Sequence, residues 1–167
     1  MDKQTNKELT LTRTFDAPRE TVWKYWTDPK LVQEWWGPRG VTNPTCVWEA
    51  KPEGNINIVM LAGKELGEMA GQEWPMTGKF VEISEPEKLV FTASAIMNGK
   101  PVLENLTTVT LEEKDGPPTL DASARQSKTI MTVHIEVTMT TPEAAGPLQG
   151  MEMGWNQQLD KLEESLR

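Results

Sequence analysis

Alternation with a period of two opens the chain. Leu9, Leu11, Arg13 and Phe15 fall on one side and Glu8, Thr10, Thr12 and Thr14 on the other, which predicts a strand over 8–15. Asp16-Ala17-Pro18 then signals a helix, with Asp16 expected as its cap, Pro18 in its first turn and Glu20 at the positive end of its dipole. Val22 and Trp26 lie one turn apart on it. Asp28-Pro29 restarts a second short helix, whose Leu31/Trp35 and Val32/Trp36 pairs keep helical spacing until Gly37-Pro38 stops it. From Val41 to about Met139 the period returns to two. It predicts consecutive antiparallel strands at 41–50, 55–62, 76–84, 88–97, 102–112 and 128–139. After Pro142 the period becomes helical: Met151, Trp155, Leu159, Leu162 and Leu166 form one stripe on a helix of about 20 residues and about 30 Å.

Four of the seven tryptophans, Trp23, Trp26, Trp35 and Trp36, sit on the two short helices. Helices of two or three turns are marginal alone, so these rings must be buried against a sheet or at the mouth of a cavity. Trp35 and Trp36 cannot point the same way; one is expected in the core and the other at a pocket rim.

Length and charge narrow the picture further. The 167 residues are expected to form one domain, 1–167, with 1–7 as a disordered tail. One cysteine, Cys46, excludes an internal disulfide, and with the single His134 it leaves too few soft ligands for structural zinc, so no cofactor or metal is expected. Cysteine usage and the lack of an apolar leader point to the cytoplasm. A net charge of −8 without a basic stripe argues against nucleic acid and anionic membrane surfaces, and no apolar run is long enough to cross a bilayer. Phosphate-cradling, dinucleotide and nucleophile-elbow motifs are absent from the sequence.

Several segments carry a family signature: Leu11-Thr12-Arg13-Thr14-Phe15-Asp16-Ala17-Pro18-Arg19-Glu20-Thr21-Val22-Trp23, Trp26-Thr27-Asp28-Pro29, Trp35-Trp36-Gly37-Pro38, Pro75-Met76-Thr77-Gly78-Lys79-Phe80 and Gly154-Trp155-Asn156-Gln157-Gln158-Leu159-Asp160-Lys161-Leu162. From about Leu9 to Leu166 the chain resembles the activator-of-Hsp90-ATPase-like family, within the START-like superfamily of polyketide cyclase and lipid-transfer folds. The resemblance implies an α+β helix-grip fold: a curved antiparallel sheet of about seven strands around a long C-terminal helix, two short helices after the first strand, and an apolar cavity between. Fold alone does not assign activity. The loops at 63–74 and 114–127 are longer than that pattern expects.

Candidate ligand-binding residues follow from the faces. Met151, Trp155 and Leu159 are on the helical stripe, where core packing is the competing reading; a buried Trp155 would bring one directed N–H. Trp36, Met60, Met76, Phe91 and Met131 are further candidates for the lining, methionine suiting a pocket of varied occupants. Trp74, with Leu66 and Met69, belongs to a glycine-spaced loop that reads either as a lid or as idle surface. Arg13 shares the inward face; it either pairs with a carboxylate of a neighbouring strand, or is turned outward by a bulge, or anchors a carboxylate or polar head group. His134 and Glu136 share a face with Thr132 and Thr138, the wet side, and Cys46 reads as a small hydrophobe.

The leading expectation is a non-catalytic binding protein for a hydrophobic or amphipathic small molecule, monomeric or homodimeric. A cyclase- or hydrolase-like enzyme using the same cavity is the first alternative, and it needs an inward carboxylate or histidine such as Glu104 or His134 beside Arg13. A chaperone-interaction module linked to stress response is the second; it needs an exposed apolar patch.

Overall fold

Seven strands in the order β1-β7-β6-β5-β4-β3-β2 form one curved antiparallel sheet, against which the helices pack. The computed structural model describes residues 7–114 and 128–166. The tail expected over 1–7, except Lys7, and the 114–127 loop, except Lys114, lie outside the described residues. The strands are β1 (Glu8–Phe15), β2 (Val41–Trp48), β3 (Asn55–Ala62), β4 (Glu73–Ser84), β5 (Lys88–Met97), β6 (Lys100–Lys114) and β7 (Lys128–Thr140). Between β1 and β2 come α1 (Arg19–Thr27) and α2 (Pro29–Trp35); after β7 come α3 (Ala145–Gln149) and α4 (Met151–Ser165). Strands β2 to β7 run as a meander, and β1 adds to the far side of β7 through pairs such as Leu9↔Ile135 and Arg13↔Met131.

Register sorts the side chains by face, because opposed residues of paired strands share a side. Phe80↔Phe91↔Thr107↔Ile135↔Leu9 is one inward row across five strands, and Ala93↔Asn105↔Val137 is the next. Inward residues Phe15, Ile58, Leu89, Met131 and Val133 are fully buried or nearly so and join Leu159 and Leu162 of α4 in the core. Thr10, Thr12, Thr132 and Glu136 take the outer face.

Three local expectations are corrected. Pro18, not Asp16, is the residue before α1: its backbone is extended at φ −67°, ψ 155°, and no side chain caps the helix. Asp16 is exposed and pairs with Lys128 at 3.2 Å. Asp28 does cap α2, its carboxylate accepting the Lys30 amide at 3.0 Å. The C-terminal segment is not one 20-residue helix. It breaks at Gly150 (φ −89°, ψ 4°), after a stretch in which Gly146, Pro147 and Gly150 weaken helical propensity. The 15 residues of α4 therefore span about 22 Å. Strand β4 begins at Glu73 rather than at 76. Its first residues pair only with β3, as in Val59↔Pro75, while pairing to β5 starts at Met76, so the proline ring faces an unpaired side.

Candidate functional site

The short helices carry their aromatic rings onto the inner face. Trp26 is completely buried; its indole donates to Met131 Sδ at 3.2 Å, and its carbonyl accepts from Trp48 Nε1 at 2.7 Å. Trp35 lies edge-on to Trp26, centroids 4.7 Å apart, and donates to Tyr25 O at 2.9 Å. Trp36 turns the other way, toward Trp48, Phe91 and Trp155 at 5.2, 6.3 and 5.7 Å. The two adjacent tryptophans do diverge, but neither is left at an exposed rim: both are buried, Trp36 at 3% exposure.

The turn after α2 is fastened to α4 by polar groups. Gly37 N–H donates to Gln158 Oε1 at 2.7 Å, and Arg39 N–H to Gln157 Oε1 at 3.0 Å. Lys161 Nζ donates to Trp36 O and Gly37 O at 3.3 and 3.1 Å. Burial, reinforced by the Arg39 guanidinium, holds the Lys161 ammonium below the ordinary lysine range, with Glu164 opposing the shift. The 3₁₀ helix Lys64–Met69 packs on the opposite flank of this turn, where Gly63 N–H donates to Gly40 O at 2.6 Å and Leu66 lies against Gly40. Met60 Sδ sits where a Cβ at Gly37 would come within 2.9 Å.

Across the grip, α4 is tied to β1. Arg13 is inward, and its guanidinium donates to Asp160 Oδ1 at 2.8 Å and Asn156 Oδ1 at 2.9 Å, with Glu163 at 3.7 Å. Its partners come from the helix, not from a neighbouring strand.

The inner face has a filled part and a more open one. The row through Phe80, Phe91 and Thr107 is buried under the aromatic cluster. Toward the next rows the strands offer Gly78, Ala93 and Ala95, and the side chains of Met60, Trp74, Ala95, Asn105 and Trp155 are only half-buried. Asn105 Oδ1 accepts from Thr107 Oγ1 at 3.1 Å. The structure thus brings Trp36, Met60, Met76, Phe91 and Trp155 around the inner face beneath α4, with Met151 and Leu159 on the helix and Met131 deeper, against Trp26. Trp74 pairs with Met60 across β3 and β4, and its indole donates to Gln72 Oε1 at 3.1 Å.

Gln158 and Asn105 were not among the sequence candidates. Gln158 follows Trp155 by three positions, which places it beside the apolar stripe, and Asn105 obeys the inward parity of its strand. His134 and Glu104 lie on the outer face, His134 bonded to Thr10 at 2.9 Å and near Glu8 at 3.4 Å, Glu104 to Ser94 at 2.9 Å. Among the described residues of β1 and β3 to β7, the inward positions hold no Asp or His and one Glu, Glu113, which lies opposite Thr129 and is exposed at the end of β6. Among those residues, no group of three or more His, Cys, Asp or Glu is placed to hold a metal ion, and no helix is long and apolar enough to cross a membrane. A shallow depression of about 370 Å³, lined by Gln33, Glu34 and Val41 to Pro44, lies at the α2–β2 edge, and none of the predicted lining residues lines it.

A curved antiparallel sheet closed by a C-terminal helix, with two short helices bridging its mouth, defines the helix-grip class of START-like proteins. The chain belongs to the family described as Activator of Hsp90 ATPase homolog 1-like protein, whose match spans residues 16–167. Solved structures agree on the fold. A Chromobacterium violaceum protein superposes with a TM-score of 0.72 at 23% identity, covering 95% of this chain and 96% of that one. An Arthrobacter aurescens protein gives 0.73 at 23% identity, covering 95% and 85%. The AHSA1 protein from Silicibacter pomeroyi gives 0.70 at 20% identity, covering 96% and 97%. No curated protein matches the chain in sequence.

Proposed function

We propose that this protein binds an apolar or amphipathic small molecule between the inner face of its sheet and α4, without catalysing a reaction on it, as a single cytoplasmic domain. The observation that supports this reading is the half-buried state of Met60, Ala95, Asn105 and Trp155 on a face whose neighbouring rows are sealed. Side chains of that chemistry left short of full burial inside a grip suit a mainly apolar ligand with few polar contacts. Trp36, Met76, Phe91, Met151 and Leu159 supply the apolar surround, Met131 backs it, and Trp74 closes the β3–β4 end. Arg13 acts at the rim, holding α4 to β1. Among the described residues of these strands the inward positions carry no histidine, and their one carboxylate, Glu113, is exposed at the end of β6, which weighs against the enzyme reading.

Displacement of a fluorescent naphthalene sulfonate, read together with native mass spectrometry, tests the proposal. Binding of apolar probes that Ala95→Trp abolishes, with the fold intact by circular dichroism, is the expected result. A wild-type protein that retains and displaces nothing across fatty acids, aromatic acids and neutral aromatics would sink it.

Chaperone contact is the second reading, and the family description is what favours it. Val47 and Val81 are exposed, at 40% and 57%, yet separate residues of this kind do not make a docking patch. A pull-down with the middle domain of Hsp90 decides it; no retention at micromolar concentrations removes it.

A further inference from the structure

We infer that the turn at 36–40 links α4 to the segment 63–72, so that loosening the helix on one side releases the segment on the other. This link needs no ligand. The turn is held in shape from outside. Gly37 N–H donates to Gln158 Oε1 at 2.7 Å and Arg39 N–H to Gln157 Oε1 at 3.0 Å, while Trp36 O and Gly37 O accept from Lys161 Nζ at 3.3 and 3.1 Å. Arg39 adds an ion pair to Glu164. All of these partners belong to α4. On the other flank Gly40 O accepts from Gly63 N–H at 2.6 Å, and that partner belongs to the segment. Trp36 O is also met by Asn43 Nδ2 of β2 at 3.0 Å.

The segment, for its part, has little else to hold it. Its 3₁₀ helix, Lys64–Met69, contains no buried residue, and across 63–72 only Gly63 and Leu66 are even half-buried. Both rest on Gly40. Gly63 does so through its amide, and Leu66 brings Cγ to 3.0 Å from where a Cβ at Gly40 would stand. The base is closed by Gly71 N–H to Ala62 O at 2.8 Å and Ala62 N–H to Gln72 O at 2.9 Å, which fix the ends of the segment and not its middle. Structure with so few buried contacts opens at low cost once its anchor shifts.

Two glycines allow the turn to change shape. Gly37 and Gly40 stand at φ +86° and +92°, values that glycine enters and leaves without the strain another residue would meet. When α4 lets go of Gly37 and Arg39, the Gly40 carbonyl loses its fixed direction on that side, and the anchor of Gly63 and Leu66 goes with it. The same coupling runs in reverse, because a linkage between two sites is reciprocal. The segment leads into β3 and β4 beside the half-buried pair Met60 and Trp74, so the state of α4 reaches the β3–β4 end of the inner face.

Amide hydrogen exchange followed by NMR on the full chain tests the link from both ends. In the wild type the Gly37 and Gly63 amides should exchange faster than those of the β6–β7 ladder, which marks local opening. Gln158→Leu removes a bond on the α4 side, so a response at Gly63 has to cross the turn; exchange there should speed up about three- to tenfold, the worth of one net hydrogen bond. Leu66→Ala removes packing on the segment side and should speed exchange at Gly37 by about the same factor. Gln157→Ala, which frees only the Arg39 amide, gives the same Gly63 readout if Gln158→Leu disturbs folding. Unchanged exchange at Gly63 in the α4 variants, unchanged exchange at Gly37 in Leu66→Ala, or wild-type Gly37 and Gly63 amides as protected as the β6–β7 ladder overturns the link.

Discussion

Arg13 of β1 and Asp160 of α4 meet at 2.8 Å, and Asn156 takes the other guanidinium nitrogen at 2.9 Å, so one inward strand residue grips two successive turns of the helix. Residues 156, 160 and 163 fall on one helical face at spacings of four and three, which is why a single fork can reach all three. The opposite flank of α4 is held by Gln157, Gln158 and Lys161. The helix is thus fixed from both sides, with its apolar stripe left to face the sheet.

Arg13→Met should lower stability by about 1–2 kcal/mol, since the charged hydrogen bonds are lost while the apolar stem is kept. Asp160 is half exposed, so the loss should shrink in high salt. Urea midpoints of wild type and variant at low and high ionic strength check both points.

Glycine substitutions should separate space from backbone strain. At Gly78 an added Cβ would come within 1.9 Å of Thr92 O, a backbone atom that cannot move aside, and Gly78→Ala should cost more than about 3 kcal/mol or prevent folding. Gly37→Ala adds a contact of 2.6 Å to Val41 at φ +86° and should cost about 2–3 kcal/mol. Gly67, at φ +59° and ψ −117° with nothing within 4 Å, carries backbone strain alone and should lose about 1–2 kcal/mol. Equal losses at all three positions in chemical denaturation would contradict this ordering.

Cys46 is half-buried beside Pro29 O, and burial pushes its thiol up to about 11. Alkylation by iodoacetamide at pH 8 should therefore run on the order of a hundredfold slower than for a free thiol, whose pKa is about 8.5. Matching rates for the native and urea-unfolded chain would show that the thiolate is not suppressed.

Lys161 should make the protein more stable as alkali is added. Its native pKa lies below that of the unfolded chain, so between the two values the unfolded chain binds more protons. The cost of the buried charge is fully present below that window and is relieved as pH climbs through it toward the ordinary lysine value of about 10.4. Subtracting the pH profile of Lys161→Gln isolates the effect, and a wild-type advantage that falls over this range would refute it.

The sequence carried the elements well where the period was strong and the punctuation chemical. Asp28 caps α2 because a short acceptor followed by proline has little else to do, and the β7 alternation from Met131 to Val137 is inward throughout. The inward parity of Arg13 was equally legible. Its partner was not, because Asp160 lies 147 positions away and only tertiary packing joins them. Gln158 escaped notice for a related reason: beside an apolar stripe a glutamine reads as boundary, and its burial depends on the Gly37 amide arriving from α2. The break at Gly150 was written in Gly146, Pro147 and Gly150, but the apolar stripe after it masked the signal.

The strand order also bears on how the chain comes to be assembled. Strands β2 to β7 can zip in sequence, each hairpin presenting the next edge, whereas β1 is made first and pairs last: Glu8 must wait for Glu136 and Phe15 for Thr129. Until β7 has formed, α1 and α2 have only part of their sheet to rest on, and their tryptophans stay uncovered. Closing so long a loop is slow relative to hairpin formation. The row of threonines on β1, at positions 10, 12 and 14, keeps half of that waiting strand polar, a composition suited to an edge that must not find the wrong partner.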